Sequence, residues 1–135
     1  MLIFIFLLVA QSDKPVAKIP EGGKARYVSF GPDGKTVVAI ICLNGKEHLL
    51  VNDAKGPEMD TVFPPRGKPT DAPRYKGIKG GKYFIIEGTS LSEPSDEFLI
   101  DEFSPDGKRL AYVMSSGGKK SVVVDGVMGE AFDYL

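Results

Sequence analysis

Few residues in this chain have the means to do chemistry. The one histidine, His48, lies in "EHLLV", and the one cysteine, Cys42, lies in the apolar run "TVVAIICL". Zinc takes three or four ligands, which one His and one Cys do not supply. Cys42 has no basic neighbour to favour its thiolate and reads as a buried, inert thiol. The nearest approach to a nucleophilic serine turn, Gly-x-Ser-x-Gly, is Gly88-Thr89-Ser90-Leu91-Ser92, which lacks the last glycine and leads into no helix. "GIKGGKY", Gly77 to Tyr83, has Lys76 where a phosphate loop needs its first glycine, and Tyr83 where it needs Ser or Thr. Asn52-Asp53 and Asp125-Gly126 lack the alternating oxygen ligands of a calcium loop. No enzyme, cofactor or metal centre is expected.

Charge is the other chemical resource. Seventeen basic against eighteen acidic residues leave a formal charge of -1, so no overall field favours nucleic acid or anionic lipid. The distribution is uneven all the same. Arg66, Lys68, Arg74, Lys76, Lys79 and Lys82 follow one another with a single acid, Asp71, among them. Glu93 to Glu102 then carries five acids and no base. The basic stretch reads either as an interaction loop for an anionic partner, with Tyr75 and Tyr83 nearby, or as a solvated loop paired with the acidic one. No RNA or DNA motif accompanies it, so no nucleic-acid partner is expected.

The elements that would position these groups are strands. Val, Ile, Phe and Tyr cluster in short runs between Gly, Pro, Asp and Asn, which predicts an all-β fold of many short strands. One phrase recurs: "FGPDGKTVVAI" from Phe30 and "FSPDGKRLAYV" from Phe103. With Tyr27–Val62 laid on Ile100–Leu135, a shift of 73, ten of 36 positions match without a gap. Pro32, Asp33 and Gly34 fall on Pro105, Asp106 and Gly107, while Asn44-Gly45 meets Gly117-Gly118. Pro presets φ, Asp bonds back to the backbone, and Gly supplies a positive φ, so both sites are hairpin joints. "FPPRGK", Phe63 to Lys68, followed by "GGKYFIIEG", is a weaker middle copy, its phrase starting 33 residues after the first and 40 before the third. Each copy is expected to hold three or four antiparallel strands. The last would be a short edge strand near Asp60–Val62, Glu97–Ile100 or Asp133–Leu135.

The phrase "FSPDGKRLAYV", with its glycine turn and "VVVDG", resembles the repeat of TolB-like β-propellers, relatives of the WD-repeat propellers. "VVVDGVMGEAFDYL" is similar to a bacterial Pro-Asp-Gly propeller repeat. The resemblance covers about 110 residues and implies a partial propeller over 25–135, with blades at about 25–62, 63–100 and 101–135. Propellers close with about four to eight blades. Three blades imply a fragment of a longer protein, or an open stack that self-associates through its sheet edges. The resemblance implies a non-enzymatic module that serves as a protein–protein interaction scaffold. Its alternatives are the accessory propeller domain of a serine hydrolase or peptidase, whose catalytic domain lies outside this chain, and carbohydrate or cell-wall binding.

At the start, Leu2 to Ala10 is unbroken apolar sequence. It is too short for a span of roughly 20 residues, so no stable membrane span is expected. It matches the core of a secretory signal, with Ala10-Gln11-Ser12 as the cleavage site and no basic residue before it, or else Leu2 to Val9 is a buried strand. The expected organisation is a leader over 1–12 and a linker over 13–24. The expected location is periplasmic or extracellular, with cytoplasmic as the alternative.

Overall fold

The computed structural model describes residues 3–5, 17–31, 33–64 and 74–133. Pro32, Arg66, Lys68 and most of the expected leader lie outside these residues. The fold is all-β, and the described residues contain no helix.

β1 (Ile3–Ile5) and β2 (Ala17–Ile19) pair as a small antiparallel sheet. β3 (Lys24–Phe30), β4 (Val37–Leu43), β5 (Lys46–Val51) and β6 (Ala54–Lys55) then form the first of three up-and-down sheets. The second contains β7 (Thr61–Phe63), β8 (Arg74–Lys79), β9 (Lys82–Glu87) and β10 (Ser90–Leu91). The third contains β11 (Phe98–Phe103), β12 (Leu110–Ser116), β13 (Lys119–Val124), β14 (Val127–Met128) and β15 (Phe132–Asp133).

The turns explain why the chain folds back where it does. Asp33 Oδ1 accepts the N–H groups of Lys35 and Thr36, each at 2.8 Å, and Gly34 takes φ 68°. Asp106 accepts Lys108 N at 3.0 Å, and Gly107 takes φ 75°. Asn44 (φ 53°) and Gly45 (φ 77°) supply the two positive φ angles of the tight hairpin that twisted strands favour. Gly80-Gly81 and Gly117-Gly118 do the same in the other sheets.

The first sheet is covered on both faces, so its middle strand β4 is apolar on both. On β4, Val37, Ala39 and Ile41 pack with Ala17 and Ile19 of β2, while Val38 and Ile40 pack with Val62, Tyr75 and Ile86 of the second sheet. Ile85, next to Ile86, turns the other way and meets Leu110, Tyr112 and Val123 of the third. The core is therefore a row of seams between successive sheets.

Two expectations need correction. The segments read as closing edge strands near Asp60–Val62 and Glu97–Ile100 supply instead the first strands of the following sheets, β7 and β11. The sheets open at Lys24, Thr61 and Phe98, a period of 37 residues at both steps. "FPPRGK" is also out of step with the strand ladder. Phe63 pairs with Lys76, four residues before the Gly80-Gly81 turn. Tyr27 makes the equivalent pairing in the first sheet, with Ile40, whereas Phe30 pairs with Val37. The middle copy has a three-residue first strand where the others have seven and six, so its turn phrase comes early.

Candidate functional site

A cleft of about 620 Å³ lies between the second and third sheets. Successive residues of a strand point to opposite faces. With Tyr75 turned into the first seam, Arg74 and Lys76 face the cleft from β8. Ile85 and Leu110 form its apolar base, and Asp101 of β11, paired with Tyr112, stands on the opposite wall. One wall is basic and the other acidic. Lys76 Nζ reaches across to Asp101 Oδ1 at 2.7 Å.

Arg74 is the most enclosed of these charges, with a side chain 14% exposed. Its Nη1 lies 3.1 Å from Asp125 Oδ1, and its Nε, 3.5 Å from Glu87 Oε2, makes no hydrogen bond. It also lines a smaller hollow of about 140 Å³ with Leu91 and Tyr112. Asp125 gathers several donors: Leu110 N at 3.0 Å, Arg109 Nε at 3.0 Å and the Arg74 guanidinium. The Leu110 N–H, then Arg109 and Arg74, hold its carboxyl down at about 2. Asn52 plays the backbone part of this role in the first sheet, accepting Val37 N at 2.9 Å. Both residues adopt left-handed φ angles, 51° and 50°.

The expected basic loop is not one loop. Arg74, Lys76, Lys79 and Lys82 lie on β8 and β9, and the Gly80-Gly81 turn carries Lys79 and Lys82 to the end away from the cleft. Lys82 pairs with Asp96, and Lys76 with Asp101, so bases of this stretch meet acids of the next. Arg74 turns to Asp125 and Glu87.

No catalytic constellation emerges among the described residues. His48 is buried, and its Nδ1 lies 2.9 Å from Gly56 O, which ties β5 to the turn beyond it. Ser92 Oγ accepts Ile85 N at 2.8 Å and donates to Glu93 O at 3.1 Å. Among the described residues, no three of His, Cys, Asp and Glu gather as a metal-binding group. No described helix is long and apolar enough to cross a membrane.

Sequence reasoning found Arg74 and Lys76 but missed Asp125 as the partner of Arg74. The signal was present: Asp125 falls on Asn52 in the 73-residue register. The fold and site thus define an all-β repeat protein of successive antiparallel sheets with a charge-lined cleft at one seam. In comparison with known proteins, no family model, curated protein or solved structure matches this chain.

Proposed function

We propose that the chain is a non-enzymatic β-propeller repeat module, exported from the cytoplasm, that acts as a scaffold for binding another protein. The observation that carries this reading is the repeated seam: three sheets of one strand order, each packed on the next through the same ladder positions. A rigid stack whose loops vary without disturbing its strands suits a binding platform. The cleft adds specificity, because a partner meets positive charge on one wall and negative charge on the other. The apolar composition of Leu2 to Ala10 supports export, while the pairing of Ile3–Ile5 with β2 favours the alternative, a strand retained in the fold.

The test is affinity capture from a cell-envelope extract, comparing the wild type with the Lys76→Glu/Asp101→Lys double variant. The exchange preserves the internal ion pair and swaps the charge that each wall contributes to it. A protein held by the wild type and lost by the exchanged variant is the expected result. The same set of proteins on both, or turnover of ester or peptide substrates by the purified chain, overturns the proposal.

A further inference from the structure

The chain has two asparagines, Asn44 and Asn52, in opposite surroundings. Asn52 is held on both sides. Its Oδ1 accepts Val37 N at 2.9 Å, its own N–H donates to Val37 O at 2.8 Å, and Asp53 follows it. Asn44 is exposed and is followed by Gly45, at the tip of the hairpin that Leu43 and Lys46 close. Among the described residues, nothing hydrogen-bonds the Asn44 side chain or the Gly45 N–H. No Cβ shields the Gly45 nitrogen, and nothing stands within 4 Å of the place that a Cβ would take.

The corresponding turns of the other two sheets are fastened across a seam. Asp60 accepts Gly80 N at 2.9 Å, and Asp96 accepts Gly117 N at 3.1 Å. No described residue holds the Asn44 N–H in this way. The three Asp-Gly pairs of the chain, which could cyclise by the same route, are tied by their side chains. Asp33 accepts Lys35 N, Thr36 N and Thr36 Oγ1, each at 2.8 Å. Asp106 accepts Ser104 Oγ at 2.6 Å and Lys108 N at 3.0 Å. Asp125 accepts Leu110 N and two arginines. These donors, above all Thr36 N–H at Asp33, Ser104 at Asp106 and Leu110 N–H at Asp125, hold the three carboxyls below their ordinary range. An ionised carboxylate does not expel its oxygen as an amide expels ammonia.

We propose that Asn44 is a site of spontaneous self-modification, converting to aspartate and isoaspartate through a cyclic imide formed with Gly45. The Gly45 nitrogen gives its proton to solvent and attacks Asn44 Cγ. A C–N bond forms, the Cγ–Nδ2 bond breaks, and Nδ2 takes up a proton and leaves as ammonia. Water then opens the ring. Addition at Cγ leaves aspartate on the ordinary backbone, and addition at the main-chain carbonyl leaves isoaspartate, with the chain rerouted through the side chain. The attack is intramolecular, so the reacting atoms are already neighbours and no enzyme is required. Either product adds one negative charge at the hairpin tip. Isoaspartate also adds a methylene to the backbone of a two-residue turn whose paired positive φ angles match the strand twist, so it loosens β4 from β5.

The experiment incubates the full folded chain at neutral pH and follows the tryptic peptides 36–46 and 47–55 by mass spectrometry, against an unincubated control. Each peptide carries one asparagine, Asn44 or Asn52. Peptide 36–46 is expected to take the mass of the acid as two products separable by chromatography, while peptide 47–55 stays unchanged and the three Asp-Gly sites yield no isoaspartate. Asn44→Gly, which gives this turn the Gly-Gly pair of the other two, is expected to abolish the change. The aged wild-type chain is expected to melt below a freshly prepared Asn44→Asp chain, which carries the same charge on an ordinary backbone. A peptide 36–46 that stays intact, conversion of peptide 47–55 at the same rate, isoaspartate at the Asp-Gly sites, or an aged chain that melts with the Asn44→Asp chain overturns the proposal.

Discussion

Replacing Gly77 with alanine tests the seam between the first two sheets by the sign of its effect. Gly77 lies inside β8 with no positive φ, so its backbone asks for no glycine. At such a site alanine ordinarily stabilises a strand by about 0.5–1 kcal/mol, because the unfolded chain loses freedom. Here a Cβ would stand 2.8 Å from Met59 Cε, 2.8 Å from Ile86 Cδ1 and 3.1 Å from Thr61 O. The two side-chain tips can shift, but Thr61 O belongs to the neighbouring strand and is held by the ladder. Overpacking of this kind costs about 1–3 kcal/mol. The clash therefore exceeds the gain in chain stiffness, and Gly77→Ala is expected to lose roughly 0.5–2 kcal/mol. In a domain of this size that lowers Tm by about 2–8 °C. Urea denaturation followed by circular dichroism measures the loss. Met59→Leu removes the Cε that crowds the site, so the double variant is expected to lose less than the two single changes added. A Gly77→Ala chain as stable as the wild type, or strict additivity with Met59→Leu, would refute face-to-face packing at this seam.

Two further outcomes follow from the residues that close the strands. Asp125 is held at about 2, below the ordinary carboxyl value of about 3.9. The unfolded chain takes up the proton first, so this carboxylate contributes stability above about pH 4 that is lost as pH falls toward 2. Asp125→Asn keeps an acceptor for Leu110 N, as Asn52 does for Val37, and is expected to be less stable than the wild type at pH 7, with the gap closing near pH 2. Parallel stability curves in thermal melts across that range would contradict the assignment. Asn52→Ala loses the bond to Val37 N and puts a Cβ residue at φ 51° without a stabilising side chain, so a cost of about 1–3 kcal/mol is expected in urea titrations. Asn52→Asp, the residue found at 125, is expected to cost less than half of that.

The local grammar of this fold is legible in its sequence because the turns are made by adjacent residues. Asp33 bonds two and three residues ahead, and Asn44-Gly45 supplies its own backbone twist, so each joint is readable without its partner. The doubly apolar run Val37–Ile41 likewise announced a strand covered on both sides. Sheet boundaries were harder, because Thr61–Phe63 is as consistent with closing one sheet as with opening the next. Only its pairing with β8 decides the matter. The middle phrase misled because its Phe63 lies in a different rung of the ladder from Phe30. In the cleft, Arg74 and Lys76 stood out by charge, but Asp125 lies 51 residues from Arg74 and is joined to it only by folding. Asp60 and Asp96 looked like ordinary loop acids for the same reason. Their partners across the seams are backbone N–H groups, which carry no mark in a sequence.

Those two aspartates also bear on how the chain acquires its shape during synthesis. Each waits for a turn that emerges later: Asp60 for Gly80, 20 residues on, and Asp96 for Gly117, 21 residues on. A sheet leaving the ribosome thus has this corner tied only to its own strands, Asp60 to Lys46 and Asp96 to Lys82, until its successor's hairpin has formed. The order of assembly is written into the chain as a ratchet, in which every newly made turn locks the sheet before it, and a stalled ribosome would hold all but the newest sheet fastened.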